Sequence, residues 1–178
     1  WPPQARATQA LALRWMNLTL AMMGDDFDLL DRWGQMYRTE PQGQFKGAPG
    51  PQMIAYIDAA VQLRLAAMLR HMTPAELRSL RTVPPTTVAL FAQQAHALHD
   101  REVDPGSAPA RALVAHWEQL MNTLCAHQPA LLRKMIQAHQ AEPLLQGSSL
   151  FNDTTLSYLH RALVAQNHPL ANSCVCPT

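Results

Sequence analysis

The sequence predicts an all-α protein built from tandem duplicated helical modules that pack around a central groove or tunnel. Two observations predict the helices. Fourteen prolines divide the chain into stretches rich in Ala, Leu, Met, Gln and Arg, which lose little side-chain freedom in a helix. No stretch alternates apolar and polar positions with β-branched residues among them, so no strand is predicted. A third observation, an internal repeat, predicts the duplication.

Helix boundaries follow from prolines, capping residues and apolar spacing. Thr73 is a predicted N-cap, Pro74 stands at the first helical position, and Glu76 completes a capping box. In the stretch 51–71 the apolar residues recur every three or four positions, which indicates a central helix that packs on more than one neighbour. Residues 104–109 form the one hinge-like stretch. The predicted helices span about 5–23, 26–39, 51–71, 74–81, 85–101, 108–127, 129–141 and 153–167.

The internal repeat appears when the sequence is shifted by 102 residues. Residues 10–60 then align with 112–162 without a gap, and 12 of the 51 positions are identical. Rare residues are among the identities, including two tryptophans, two tyrosines and two Glu-Pro dipeptides. We therefore expect a first module with connecting helices at 1–104 and a second module at 105–178. Together they would form one ligand-binding unit with a groove between the copies.

Composition restricts the function classes. The formal net charge is +1 and only 15% of residues are charged, which argues against nucleic acid as a partner of this chain. There is no apolar run long enough for a membrane helix and no recognisable signal peptide. Three cysteines do not make a disulfide framework. We expect a cytoplasmic protein with no membrane partner.

The ordered motifs have a family resemblance. Ala-Leu-Arg-Trp-Met at 12–16, Gly-Asp-Asp at 24–26, Gln-Met-Tyr-Arg-Thr-Glu-Pro at 35–41 and Pro-Gln-Met-Ile-Ala-Tyr-Ile at 51–57 resemble the TipAS-type antibiotic-binding domain of MerR-family regulators. The second copy fits the same template with Ala-His-Trp at 115–117, Ala-His-Gln-Ala-Glu-Pro at 138–143 and Thr-Leu-Ser-Tyr-Leu at 155–159. The resemblance is strongest to albicidin-resistance proteins, which carry two such modules in tandem.

The resemblance implies a non-enzymatic protein that binds and sequesters a large hydrophobic, albicidin-like antibiotic and so confers resistance. One alternative is the ligand-sensing effector domain of a MerR-type regulator, with an upstream DNA-binding domain absent from this sequence. A drug-modifying enzyme that uses His139 or His160 as a base is a further alternative, as is a helical adaptor.

The resemblance also indicates which residues contact ligand. Relatives use the residue three positions before Glu-Pro, which is Tyr37 in the first module and has His139 as its second-module counterpart. They also use the residue two after the aromatic of the third helix, here His160. The relatives have His where this chain has Tyr37, and Gln where it has His160. The complete candidate set is Tyr37, His139, His160, Trp33, Trp15, Trp117, Tyr56, Tyr158, Met36 and Met53.

Each candidate also has a structural interpretation. Trp15 and Trp117 can be core residues, and the repeated tyrosines can form hydroxyl bonds that lock each module. The methionines can be core fillers as well as an adaptable ligand wall. Both Glu-Pro dipeptides are interpreted as helix stops rather than catalytic carboxylates. Neither His96 with His99 nor the cysteines near the C-terminus make a recognisable metal set, so no metal or cofactor is expected.

Overall fold

A computed structural model shows eight helices and no strand in the described part of the chain, which confirms the all-α prediction. The structure describes residues 1–39, 50–145 and 151–171, except for the side chains of Tyr37, Arg38 and Pro51. Every helix starts within one residue of its predicted start, and the ends come up to three residues early. The helices are α1 (Arg6–Met22), α2 (Phe27–Thr39), α3 (Pro51–Leu69), α4 (Pro74–Ser79), α5 (Pro85–Asp100), α6 (Ala108–Leu124), α7 (Pro129–Ala141) and α8 (Asp153–Ala165).

The helix starts form where local sequence satisfies the first free N–H groups. Thr73 and Glu76 make the predicted capping box at α4. Ser107 caps α6 by accepting from the Ala110 N–H. Prolines occupy the first turn of α3, α4, α5, α6 and α7, where a missing donor costs nothing.

The backbone repeats itself in the two halves of the chain. Shifted by 102 residues, α1 coincides with α6 and α2 with α7 at both ends, and α3 begins where α8 begins. The turn after α1 places Gly24 and Asp25 at positive φ, and the turn after α6 does the same with Ala126 and His127. Because non-glycine residues seldom adopt positive φ, the shared turn is a specific structural match between the copies.

A repeated tyrosine closes each copy in the same way. The Tyr56 hydroxyl donates to the Trp1 carbonyl at 2.7 Å, and the Tyr158 hydroxyl donates to the Val103 carbonyl at 3.1 Å. Trp1 and Val103 are themselves counterparts under the 102-residue shift. Each hydroxyl therefore ties the third helix of a copy to the chain that leads into its first helix.

Two buried apolar clusters hold the helices together. The first lies between α5, α6 and α8, and the second joins the end of α3, Leu77 of α4 and the residues that flank α4 to α7. Helix α5 has no counterpart among the described residues of the first half. The first cluster contains Val83, Phe91, Ala95, Ala110, Leu113, Val114, Leu120, Tyr158, Leu159, Ala162 and Leu163. The second contains Ala67, Met68, Met72, Leu77, Leu80, Cys125, Leu131, Met135, Ala138 and Leu145.

Polar contacts fasten the halves where the second cluster reaches the surface. Glu142 follows the last residue of α7, as the Glu-Pro helix stop predicts, and pairs with Arg70 and His71 just beyond α3. The hydrogen bonds that Glu142 accepts lower its pKa to about 2, and the bond from Arg70 contributes more than the bond from His71. Lys134 of α7 donates to Glu76 of α4 at 2.7 Å.

Candidate functional site: an open apolar surface on the first module

Counterpart leucines of α1 and α6 differ in burial. Leu113 and Leu120 of α6 are 3% and 8% exposed because α5 and α8 pack over them. Their counterparts Leu11 and Leu18 of α1 are 55% and 48% exposed. The same residue types at the same repeat positions are thus core in one copy and surface in the other.

Helices α2 and α7 show the same contrast. Leu131 and Ala138 of α7 are 1% and 0% exposed within the second cluster. Their counterparts on α2, Leu29 and Met36, are 40% and 42% exposed. In the second copy the end of α3, Leu77 of α4 and the residues that flank α4 pack on this stripe, whereas on α2 it is exposed.

A tryptophan pair joins the two exposed stripes. Trp15 lies between Leu11 and Leu18 on α1, and Trp33 lies between Leu29 and Met36 on α2. The ring centroids are 6.4 Å apart with the planes tilted by 35°, an arrangement typical of a favourable aromatic contact. Both indoles are partly exposed. We call the surface formed by Leu11, Trp15, Leu18, Leu29, Trp33 and Met36 the open apolar surface.

The second-module aromatics lie in the core instead. The Trp117 ring packs against the first cluster. Its centroid is 5.6 Å from the ring centroid of Phe91 and 5.6 Å from that of Phe151. Tyr158 is buried, with its hydroxyl bonded to the Val103 carbonyl. For Trp117, Tyr158 and Tyr56, whose hydroxyl is likewise bonded to the backbone, the geometry favours the structural interpretation.

His139 lies where α3 meets α7. Its Nδ1 donates to the Met135 carbonyl at 2.9 Å, which leaves Nε2 as the acceptor of a neutral ring. Burial is the main reason that the pKa of His139 falls to about 4, and the charge of Arg64 lowers it further. Arg64 is itself buried on α3, and desolvation lowers its pKa to about 10.

The remaining candidates are dispersed. His160 on α8 is partly exposed, and its buried Nδ1 has no hydrogen-bond partner among the described residues. Met53 is exposed in the first turn of α3, a helix that packs against α2. Tyr37 is part of α2, but its side chain lies outside the described residues. The described members of the candidate set that meet on one surface are therefore Trp15, Trp33 and Met36.

Some residues of interest were not predicted. Sequence spacing does not distinguish Leu11, Leu18 or Leu29, because a leucine at helical spacing indicates a buried face and gives no sign that the face is uncovered. Arg64 did carry a signal. It is the one charged residue in the apolar stripe of α3 between Val61 and Met68, where a charge is costly to bury.

Within the described residues, no three His, Cys, Asp or Glu side chains come together as a metal site. His96 is hydrogen-bonded to Asn152 and His99 to Asp100, and the cysteines at 174 and 176 lie outside the described residues. Every described helix is too short or too polar to cross a lipid bilayer. Comparison of the sequence with protein-family models gives no match, and comparison with curated proteins gives none either.

Proposed function

We propose that this chain is a cytoplasmic, non-catalytic protein that binds and sequesters a large hydrophobic, albicidin-like antibiotic and thereby confers resistance. The observation that carries the proposal is the open apolar surface. Apolar stripes that the second module buries are left exposed on the first, with two tryptophans at their junction. Exposed apolar surface of this kind marks binding sites in folded proteins.

The surface suits a flat, extended ligand. The tryptophan pair offers aromatic faces for stacking, and Met36 offers a flexible side chain that adapts to irregular apolar shapes. Each 100 Å² of apolar area that a ligand removes from water contributes about 2.5 kcal/mol before the costs of ordering. A ligand that covers both stripes would gain from every apolar side chain that it removes from water.

A few polar groups would set orientation. Tyr37, the candidate contact from the family resemblance, follows Met36 on α2 and so stands next to this surface in the sequence. Its counterpart His139 lies where α3 meets α7 and is therefore not among the groups that would orient a ligand on this surface. Resistance then follows from mass action, since bound antibiotic cannot reach its target.

The test is a titration of the protein with albicidin, followed by intrinsic tryptophan fluorescence. We expect saturable quenching, because Trp15 and Trp33 would contact the drug. The variants Leu29→Lys and Met36→Lys should weaken binding at least about tenfold, which corresponds to about 1.4 kcal/mol. Both side chains are half-exposed, so the fold should tolerate the changes.

Matched controls are Leu90→Lys on α5 and Val164→Lys on α8, which alter comparably exposed apolar residues outside the surface. They should leave the titration unchanged. Equal affinity in all four variants, or no quenching by albicidin and thiopeptide antibiotics, would contradict the proposal. Mass spectrometry of recovered drug separates sequestration from modification, since sequestration leaves the mass unchanged.

A further inference from the structure

The chain between α4 and α5 connects the packed core to the first module. Residues 80–84 run between the two helices with extended backbone at Leu80 and Pro84, and we call them the connector. Leu80 is buried in the second apolar cluster and Val83 in the first. The Arg81 N–H donates to the Leu124 carbonyl, at the end of α6, at 2.8 Å. The connector is therefore fixed to the second module.

Two residues of the connector also bind side chains of the first module. The Thr82 N–H donates to Oδ1 of Asp25 at 3.0 Å. The Val83 N–H donates to Oδ1 of Asn17 at 3.1 Å, and Nδ2 of Asn17 donates back to the Val83 carbonyl at 2.9 Å. Asn17 thus exchanges two hydrogen bonds with Val83, as a residue does with its opposite in an antiparallel sheet. Three hydrogen bonds from adjacent connector residues hold α1 and the turn after it.

These hydrogen bonds are made on both sides of the junction between α1 and α2. Asn17 lies in the second half of α1. Asp25 lies in the turn, with a φ of 64°, directly before Asp26. Oδ1 of Asp26 in turn accepts from the Leu29 N–H in the first turn of α2 at 2.8 Å. The connector therefore sets the direction in which α2 leaves α1.

The tryptophan pair of the open apolar surface depends on that direction. Trp15 is on α1 and Trp33 is on α2, with their ring centroids 6.4 Å apart. Trp33 lies about 9 Å along α2 from its first residue, so turning α2 by about 10° moves Trp33 by about 1.5 Å. None of the described side chains of α2 is buried, so this helix has little core packing to hold it in place.

We propose that Asn17 and Asp25 are positioning residues for the open apolar surface. By holding α1 and the following turn on the connector, they keep Trp15 and Trp33 at the separation and tilt at which a flat ligand meets both indoles. Neither residue has to contact the ligand. This inference rests on the proposed antibiotic binding, and it adds that the second module sets the geometry of a site formed by the first.

The test compares Asp25→Gly with Asp25→Asn. Both new residues adopt positive φ readily, but only asparagine keeps an oxygen that accepts from the Thr82 N–H. The exciton signal of the tryptophan pair in circular dichroism should fall in Asp25→Gly and remain in Asp25→Asn. The variant Trp33→Phe identifies this signal by abolishing it.

Albicidin titration of the same variants measures the effect on binding. Affinity should be about tenfold weaker in Asp25→Gly, because apparent affinity falls with the fraction of molecules that have the binding geometry. Asp25→Asn should restore most of it. Asn17→Ala, which removes both hydrogen bonds to Val83, should weaken binding as Asp25→Gly does.

Two control variants separate positioning from general stability. His127→Gly is the matched control, because His127 is the repeat counterpart of Asp25, is exposed and has a φ of 57°. Ser107→Ala removes the N-cap of α6 and so lowers stability in the second module. Neither control should change the exciton signal or the affinity at a temperature where the protein is folded.

Three outcomes would overturn the proposal. Asp25→Gly would keep both the signal and the affinity of the wild type, or it would lose the signal without losing affinity, or Asp25→Asn would be impaired as much as Asp25→Gly. Failure of the wild type to bind albicidin would contradict the proposed function instead. The circular dichroism of the variants would then still decide whether the connector holds the tryptophan pair.

Discussion

At the scale of the residue, the surroundings of His139 lower its pKa strongly. Burial between α3 and α7 and the nearby charge of Arg64 make protonation costly, so the pKa falls from 6.5 to about 4. An unfolded chain takes up this proton below pH 6.5, whereas the folded chain takes it up only near pH 4. Folding stability due to His139 is therefore complete above pH 6.5 and falls as the pH drops from 6.5 to 4.

This gives a prediction for His139→Asn, in which the amide can still donate to the Met135 carbonyl but cannot be protonated. Between pH 7 and pH 4 the free energy of unfolding should fall less in the variant than in the wild type. The difference between the two falls should be at most about 3 kcal/mol. Urea unfolding at a series of pH values measures the difference. His127→Asn is a suitable control because His127 is exposed and asparagine tolerates its positive φ. If both variants follow the wild-type pH dependence, His139 is not desolvated as described.

At the scale of the element, burial depends on which helix lies alongside. Leu18 and Leu120 occupy the same position in α1 and α6, yet only Leu120 has α5 packed over it. Leu120→Ala should cost about 2–5 kcal/mol, because it leaves a cavity in a packed cluster. Leu18→Ala should cost less than about 1 kcal/mol, because half of the side chain is already in water.

Chemical unfolding of the two variants in parallel measures this difference, and Leu113→Ala with Leu11→Ala repeats it two helical turns earlier in each helix. Equal losses within a pair would show that the stripe of α1 is buried in solution. That result would count against the proposed antibiotic surface. The matched pairs thus test the feature on which that proposal depends.

At the scale of the whole molecule, the halves are joined by the second cluster and by the polar contacts of Glu142 with Arg70 and His71. The hydrogen bonds that lower the pKa of Glu142 to about 2 favour its ionised form in the folded state. Its contribution to stability is therefore present above about pH 4.5 and is lost as the pH falls toward 2.

Glu142→Gln should accordingly lower the melting temperature at neutral pH, and the gap to the wild type should close as the pH falls from 4.5 to 2. Differential scanning calorimetry at several pH values measures it. Asp100→Asn is the control, since Asp100 pairs only with its neighbour His99 among the described residues and joins no two helices. A gap that persists at pH 2 would assign the effect to packing of the side chain rather than to its charge.

The family resemblance pointed to ligand contacts in both copies, but the structure separates them. Trp15, Trp33 and Met36 meet on an open surface, whereas Trp117 and Tyr158 belong to the core. Sequence alone could not distinguish Trp15 from Trp117, because both are tryptophans at the same repeat position. The separation comes from α5, which follows the first copy in the chain and packs on the second.

The sequence by itself determined the eight helices of the described residues, their starts to within one residue, and the duplication. These features depend on local propensity, capping and spacing, which act between residues close in the chain. Tertiary structure decided which copy's apolar stripes are covered and that Arg64 is buried beside His139. Those outcomes depend on which helices become neighbours, and identical leucines become core or surface according to the helix that lies against them.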